Sequence, residues 1–402
     1  MTAESLKLAL WVSLAVLAYV YFGYPLLLAL LTRSRRPVAP LEPDQLPPVT
    51  LLISAYNERA VIEEKIQNSL SLSYPKELLR ILVISDCSDD GTDDIVLRYA
   101  AQGVRLVRTP QRLGKSAGLN LGVSQSSAGL LVFSDANAIY QPDALRLLVP
   151  HFSDPAVGYV VGNARYRMSA SQTASAKSEG LYWRFETWLK EKESDFGSVV
   201  GGDGAIYAIR RDLFTALRPT DINDFLNPLQ IVAKGFRGVY NPSAICFEEA
   251  GDTFEKEFRR KVRIVSRSFN AVLRAPRVLF PWTQPRHWVA LISHKLLRWF
   301  APLFLLTALV ANLALWPNPF YRILACLQLA CYLLAAIGWL LQSRRALPRL
   351  LYLPYYFCLV NLASLLGICK CFAGSLTPTW QTIRQETSGR ADSSASLVKR
   401  GP

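Results

Sequence analysis

Three regimes of apolar and polar positions follow one another along this chain of 402 residues. In the first, apolar residues run without any charge over 8–31, 299–321, 323–343 and 350–369. A helix rises ~1.5 Å per residue and a bilayer's hydrocarbon core is ~30 Å thick, so each run is long enough to span it. In the second regime, short apolar runs alternate with stretches of helical spacing. Residues 49–54, 79–85, 104–109 and 130–134 read as strands, and 61–72, 93–102 and 116–124 as helices. Such alternation predicts a mostly parallel sheet covered by helices. From about Gly158 the alternation loosens into aromatic helical stretches such as 181–188. The third regime, 254–298, is amphipathic. Phe254, Phe258, Val262, Val265, Phe269 and Val272 recur at three- and four-residue spacing, while Arg259, Arg260, Lys261, Arg263, Arg267 and Arg274 occupy other faces. That pattern predicts a helix lying on an anionic bilayer surface.

The division that follows is an N-terminal anchor over 1–36, a polar α/β domain over 37–253, basic interface helices over 254–298, about three membrane segments over 299–374 and a polar tail over 375–402. The first apolar run exceeds the ~7–15 residues of a signal-peptide core and no small-residue cleavage site follows, which predicts a retained anchor. Residues 37–48 are a proline-rich linker, and the Ser/Gly/Arg-containing tail after Thr387 is expected to be disordered.

Composition sharpens this picture. A hydrophobic content of 51% exceeds that of a plain soluble enzyme. The net charge of +14 is concentrated beside the membrane, since 254–298 holds eleven Lys/Arg against two Glu, and nucleic acid is therefore not the expected partner. Arg33, Arg35 and Arg36 mark the carboxyl side of the first segment as cytoplasmic, and Arg344 and Arg345 agree two crossings later. A full crossing by the last segment would leave Lys370, Arg384 and Arg390 outside, so crossing and re-entry both stay open for it. Five of seven cysteines lie in or beside membrane segments; Cys87 and Cys246 stand alone, without zinc spacing. His151, His287 and His294 form no metal motif and read as structural.

Polar groups gather where the apolar runs end. The first strand enters Ala55-Tyr56-Asn57-Glu58, the second enters Asp86-Cys87-Ser88-Asp89-Asp90-Gly91-Thr92, and the fourth ends at Asp135-Ala136-Asn137. Open α/β sheets bind ligands at the carboxyl ends of their strands. Further on come Gly114-Lys115-Ser116, Gly201-Gly202-Asp203-Gly204, Asp221-Ile222-Asn223-Asp224-Phe225 and Arg260-Lys261-Val262-Arg263-Ile264. Gly114-Lys115-Ser116 is not a triphosphate-binding loop, because the earlier glycine such a loop requires falls at Thr109.

In this order the motifs resemble those of the family 2 glycosyltransferases, in the membrane-integrated branch of cellulose, chitin-oligosaccharide, hyaluronan and poly-N-acetylglucosamine synthases. The resemblance runs from the first strand through the last membrane segment. It implies an α/β domain of the GT-A kind, binding a nucleotide-sugar on a mostly parallel sheet in the cytosol, with transmembrane helices and amphipathic interface helices around it. Tyr56, Glu58 and Asp86 would then hold the nucleoside: Asp86 can accept an imide proton and Tyr56 can flank the base. Lys115 would meet the diphosphate or base. Asp135 and Asn137 match the family's D-x-D metal motif with the second aspartate replaced, for Mg²⁺ or Mn²⁺. Asp224 matches the catalytic base of a T-E-D-like turn, and Gly201, Gly202 and Asp203 the acceptor region, which the second half of the domain is expected to build. The family's Q-x-x-R-W falls on 260–264, where Arg263 keeps the arginine, Arg260 offers a second phosphate contact, and the glutamine and tryptophan bordering the acceptor sugar in polymerising members are missing. Glu248 and Glu249 are read as charge partners of Arg259 or Arg260 without chemistry.

The resemblance implies an inverting membrane glycosyltransferase moving a sugar from a UDP-sugar onto a growing exopolysaccharide or surface glycan, coupled to its translocation and, for a long polymer, to an export partner. Two alternatives stand beside it: transfer of a single sugar to a lipid-linked acceptor, which the altered motif at 260–264 favours, and a nucleotide-sugar-sensing membrane protein without catalysis. The expected location is the inner membrane, multi-pass.

Overall fold

The computed structural model describes residues 2–33, 38–167, 174–249, 253–280, 284–342 and 348–379. An eight-stranded sheet organises the polar domain. Its strands are β1 (Val49–Ala55), β2 (Leu79–Ser85), β3 (Val104–Arg108), β4 (Leu130–Asp135), β5 (Ile139–Tyr140), β6 (Val157–Arg167), β7 (Tyr207–Arg210) and β8 (Arg237–Glu249). They lie in the order β3-β2-β1-β4-β7-β6-β8-β5. β1 to β4 pair in parallel, as do β6 and β8, whereas β7 runs antiparallel between β4 and β6.

All of β1 is buried. Leu51 and Ile53 enter one core, while Leu52 enters the other with Phe133 and Tyr207, because successive side chains point to opposite faces. A strand covered on both faces needs no polar side, so these segments read as uninterrupted apolar runs. Helices Ile62–Leu70 and Lys115–Ser124 form close to where spacing put them. The helix expected over 93–102 is shorter: Thr92–Leu97 is followed by a single 3-10 turn that ends at Gly103, in the left-handed region. Beyond residue 157, where the alternation loosens, β6, β7 and β8 extend the same sheet. β6 and β8 pair through register shifts and carry Asn163, Arg165 and Asn241, which breaks the two-residue rhythm.

Among the described residues, four helices are long and apolar enough to cross a membrane: Ala3–Leu31, Pro285–Ala314, Pro319–Leu340 and Arg349–Phe372. The second starts well before the charge-free run and takes in Lys295 and Arg298. Trp11, Phe22, Leu327, Leu333 and Leu340 on these helices stay exposed, as side chains facing lipid would. Ser34, Arg35, Arg36, Arg344, Arg345 and the tail from 380 onward lie outside the described residues.

Helix Phe254–Arg274 is amphipathic as its spacing requires. Its apolar stripe, however, is covered by protein. Val265 and Phe269 share a core with Phe225, Leu229 and Trp299, and Phe254 packs with Tyr352, Tyr356 and Leu359 of the last apolar helix. The two helices approach tightly at Gly367, where a Cβ would lie 2.9 Å from the Cβ of Val265.

A buried ionic cluster joins the sheet domain to the membrane helices. Helix Ala174–Phe196 brings Glu186 and Glu193 against Tyr24 of the first apolar helix and His294, Lys295 and Arg298 of the second. Tyr24 donates to Glu193 at 3.0 Å, His294 Nδ1 lies 2.6 Å from the same carboxylate, and Arg298 meets Glu186 at 2.5 Å. Both membrane helices are π-helical here, over Tyr19–Gly23 and Leu291–Leu296, with Tyr19 Oη 2.8 Å from Ser293 Oγ. Burial alone would raise the pKa of Glu186; Arg298, Lys295 and His294 override it and hold the carboxyl well below its ordinary value. Glu186→Gln should therefore lower stability by about 3–5 kcal/mol, the cost of leaving buried cations uncompensated, measured by thermal unfolding in detergent. The wild-type contribution is full above the ordinary glutamate value of 4.5 and fades as pH falls through the lowered folded-state value.

Candidate active site

The ends of β1 and β2 are latched to each other. Asn57, at φ 53°, donates from Nδ2 to Asp89 at 2.7 Å and accepts from its backbone N at 3.0 Å. The backbone N of Glu58 donates to Thr92 Oγ1 and that of Arg59 to Asp90. These bonds fix the turn bearing Tyr56 and Glu58, and the Arg112 guanidinium lies 3.8 Å from the centre of the Tyr56 ring. Asp86, buried at the end of β2, accepts from the backbone of Leu113 at 2.8 Å and Gly114 at 2.9 Å. Gly114 takes φ +93°, open to glycine without strain, and the helix carrying Lys115 starts immediately after it. Asp86 thus sets the launch point of Lys115.

Lys115 reaches the end of β4 and pairs with Asp135 Oδ1. Facing this pair is Asp224, in the first turn of helix Asn223–Ala233, whose N-cap is Ile222. Asp224 is thus not a capping residue. Its Oδ2 accepts from the backbone N of Gly204 at 3.1 Å, while its Oδ1 is buried without a hydrogen-bond partner among the described residues. Gly204 measures how tightly these groups converge. A Cβ there would lie 3.2 Å from Asp224 Oδ2, 3.4 Å from Lys115 Nζ and 3.6 Å from Asp135 Oδ2. The neighbouring Gly202 donates to the backbone carbonyl of Asp224, and Asp203 pairs with Lys190 at 3.0 Å.

The charges explain one another. Burial raises the pKa of Asp224, Lys115 opposes that, and Asp203 and Asp135 add to it. For Lys115, burial works against the charged form, but Asp135 and Asp224 overcome it and raise the pKa above the ordinary lysine value. The outcome is a carboxylate of raised basicity, with one buried oxygen unbonded among the described residues, beside a firmly charged ammonium. That is what a general base next to an anion-binding group requires.

Helix Phe254–Arg274 closes the other side. Arg263 keeps accessible surface while lying deep among protein atoms, as a side chain lining a cleft does. Burial and Arg260 lower its pKa, against the pull of Asp135 and Asp224. Arg260 directs Nε and Nη2 to Glu257 of its own helix at 2.7 and 3.2 Å, and Arg259 pairs with Glu255. Arg267 donates to the carbonyls of Thr377 and Pro378, beyond the last apolar helix, and Pro378 lies directly against Gly114. Asn137 is half-buried on the turn after β4.

Tyr56, Glu58 and Asp86 therefore stand on the β1 and β2 turns, and Lys115, Asp135, Asp203 and Asp224 meet around Gly204. Sequence reasoning missed Glu248 and Arg267. Glu248 lies at the carboxyl end of β8 among cleft residues: burial, Asp135 and Asp203 push its pKa up to about 8, against Arg260 and Lys115. Its signal was its place at a strand end, the same rule that picks out Asp135, but β8 itself was not recognised. The side chain of Glu249 lies outside the described residues.

Known proteins resemble this chain chiefly over the sheet domain. The model of the family "Glycosyl transferase family 2" matches residues 50–218, the segment from β1 to just before Asp224. Poly-beta-1,6-N-acetyl-D-glucosamine synthase of Staphylococcus aureus (strain COL) is 26% identical over 237 residues, 58% of this chain and 57% of its own length. The chain thus matches little more than half of that relative. The Bacillus subtilis (strain 168) protein named "Probable glycosyltransferase YdaM" is 27% identical over 310 residues, covering 74% of this chain and 71% of its own. Among solved structures, the Pyrobaculum calidifontis mannosyltransferase PcManGT, in complex with GDP-Man and Mn2+, aligns with a TM-score of 0.68 at 23% identity over 90% of this chain and 99% of its own. That likeness concerns the fold, which is GT-A. The chain thus combines a GT-A fold with helices long and apolar enough to cross a membrane. Its residues 50–218 match the glycosyl transferase family 2 model, and the chain is similar to a poly-beta-1,6-N-acetyl-D-glucosamine synthase over little more than half of either length.

Gly204→Ala would push a methyl group against Asp224 and Lys115. We expect transfer to fall about 10²-fold, the scale of a 1 Å misplacement of reacting groups, with an unchanged unfolding midpoint. Turnover assays alongside thermal unfolding check both.

Proposed function

We propose that the protein transfers a sugar with inversion from a UDP-sugar to a growing exopolysaccharide or surface glycan, with the sheet domain on the cytoplasmic side of the inner membrane. The observation that carries this reading is the convergence of Lys115, Asp135 and Asp224 on Gly204. Asp224 Oδ1 takes the proton of the acceptor hydroxyl as its oxygen bonds to the anomeric carbon. The bond from that carbon to the diphosphate oxygen breaks on the opposite face. Lys115 and Arg263 receive the charge of the departing nucleotide, and Tyr56, Glu58 and Asp86 hold its nucleoside end.

Asp135 and Asn137 would hold a Mg²⁺ or Mn²⁺ ion. Both supply hard oxygen donors, and the neighbouring carboxylates Asp203 and Asp224 leave negative charge to be balanced. No three acidic, histidine or cysteine side chains among the described residues form a metal cage, which suits an ion held by one or two protein groups plus substrate phosphates. When bound, the ion supplies charge neutralisation on the leaving group.

A second reading, transfer of one sugar to a lipid-linked acceptor, is favoured by Ile264 at the position where polymerising members carry tryptophan. Long products call for an export partner; single transfer does not.

Asp224→Asn is expected to lower transfer ~10²–10⁴-fold while UDP affinity stays within about twofold. Near-normal turnover in the variant would remove Asp224 from the mechanism. Because Asp224 must be ionised to act, the wild-type rate should fall on the acid side with a midpoint above the ordinary aspartate value of 3.8, and a pH–rate profile checks this. UDP release from a panel of UDP-sugars by protein in nanodiscs, with Mg²⁺ or Mn²⁺, tests the reaction, and sizing of labelled product distinguishes long chains from one sugar on extractable lipid. Binding without consumption of any donor would refute catalysis.

A further inference from the structure

Lys65 is wholly buried in helix Ile62–Leu70, between the apolar Ile62 and Ile66. Its ammonium hydrogen-bonds only the carbonyl of Ala138 among the described residues and sits 3.9 Å from the centre of the Tyr140 ring. A buried charge without an ionic partner costs several kcal/mol, and an apolar side chain would suit the same helix face better. Burial lowers its pKa to about 7, against the raising influence of Cys246, Asp135 and Glu248.

What Lys65 touches gives it a purpose. Ala138 closes the turn Asp135-Ala136-Asn137, its backbone N donating to the Asp135 carbonyl at 3.2 Å. One helical turn from Lys65, Asn68 exchanges two 2.8 Å hydrogen bonds with the backbone of Tyr140. The Tyr140 hydroxyl reaches the carbonyl of Ala205, next to Gly204, at 2.9 Å and that of Phe133 at 3.2 Å. A single helix thus grips residues 138–140, and Tyr140 carries that grip across to the glycine turn facing Asp224.

We propose that Lys65, with Asn68 and Tyr140, is a positioning residue that holds the Asp135–Asn137 turn in metal-binding geometry and in register with the Gly204 turn. The inference rests on the reading of Asp135 and Asn137 as the metal-binding pair. Lys65→Met keeps the length of the side chain and removes its charge and its hydrogen bond to Ala138.

The test is Mn²⁺ titration by electron paramagnetic resonance on the full chain in nanodiscs with saturating UDP, beside UDP binding without metal and thermal unfolding. Lys65→Met should weaken Mn²⁺ binding about tenfold, or ~1.4 kcal/mol, with no loss of thermal stability and metal-free UDP affinity within about twofold. Asn68→Ala should weaken Mn²⁺ binding in the same direction, and it decides the matter if Lys65→Met does not fold. Unchanged Mn²⁺ affinity in the folded variants overturns the proposal. So does tighter binding in Lys65→Met, which would make Lys65 a repelling charge and not a clamp. If the wild type itself binds no Mn²⁺ with UDP, the metal assignment fails, and the clamp falls with it.

Discussion

Three carboxylates feel one another's charge across a recessed site, and much of the sheet domain is arranged to keep them there. Asp135, Asp203 and Asp224 arrive from β4, the glycine turn and helix Asn223–Ala233, elements far apart in sequence. Lys115 balances the first and Lys190 the second, while Asp224 keeps one oxygen without a hydrogen-bond partner among the described residues and a raised pKa. Placing Lys115 requires Gly114 at positive φ with its backbone N bonded to Asp86. Asp86 therefore shapes the site even where it touches no substrate.

The parallel half of the sheet was plain in the sequence because strands covered on both faces leave unbroken apolar runs, and 79–85 was read to the residue as β2. Motif residues at the ends of those strands were legible for the same reason. The antiparallel half was not. β6 and β8 shift register against each other and mix Asn163, Arg165 and Asn241 into their length, so neither simple periodicity survives. With β8 unrecognised, Glu248 had no strand end to mark it. Lys65 was invisible in a different way: a lone lysine among helical polar residues looks solvated, and only the packing of that helix on residues 138–140 buries it. The apolar stripe of Phe254–Arg274 was legible as a stripe, but sequence spacing does not say whether lipid or Tyr352 and Tyr356 will cover it.

The membrane helices and the site are mechanically continuous. Glu193 accepts from the backbone N of Val200 at 3.2 Å, immediately before the glycine turn, while its other oxygen meets Tyr24 and His294. Helix Phe254–Arg274 offers Arg263 to the cleft on one side and is clasped by the last apolar helix on the other. The side of the cleft formed by the glycine turn and Arg263 is thus built on groups anchored in, or resting on, the hydrophobic helices.

This has a practical corollary for anyone seeking a water-soluble fragment. Cutting the polar domain free of the hydrophobic helices would strip Glu186 and Glu193 of His294, Lys295, Arg298 and Tyr24. Two carboxylates would then sit on a newly bared apolar surface, beside the backbone that supports the glycine turn. Such a fragment would tend to self-associate, and its glycine turn would lose a backbone anchor. Binding or activity measurements on an excised domain would report on a differently shaped cleft, so the sheet domain has its own shape only together with the helices that carry it.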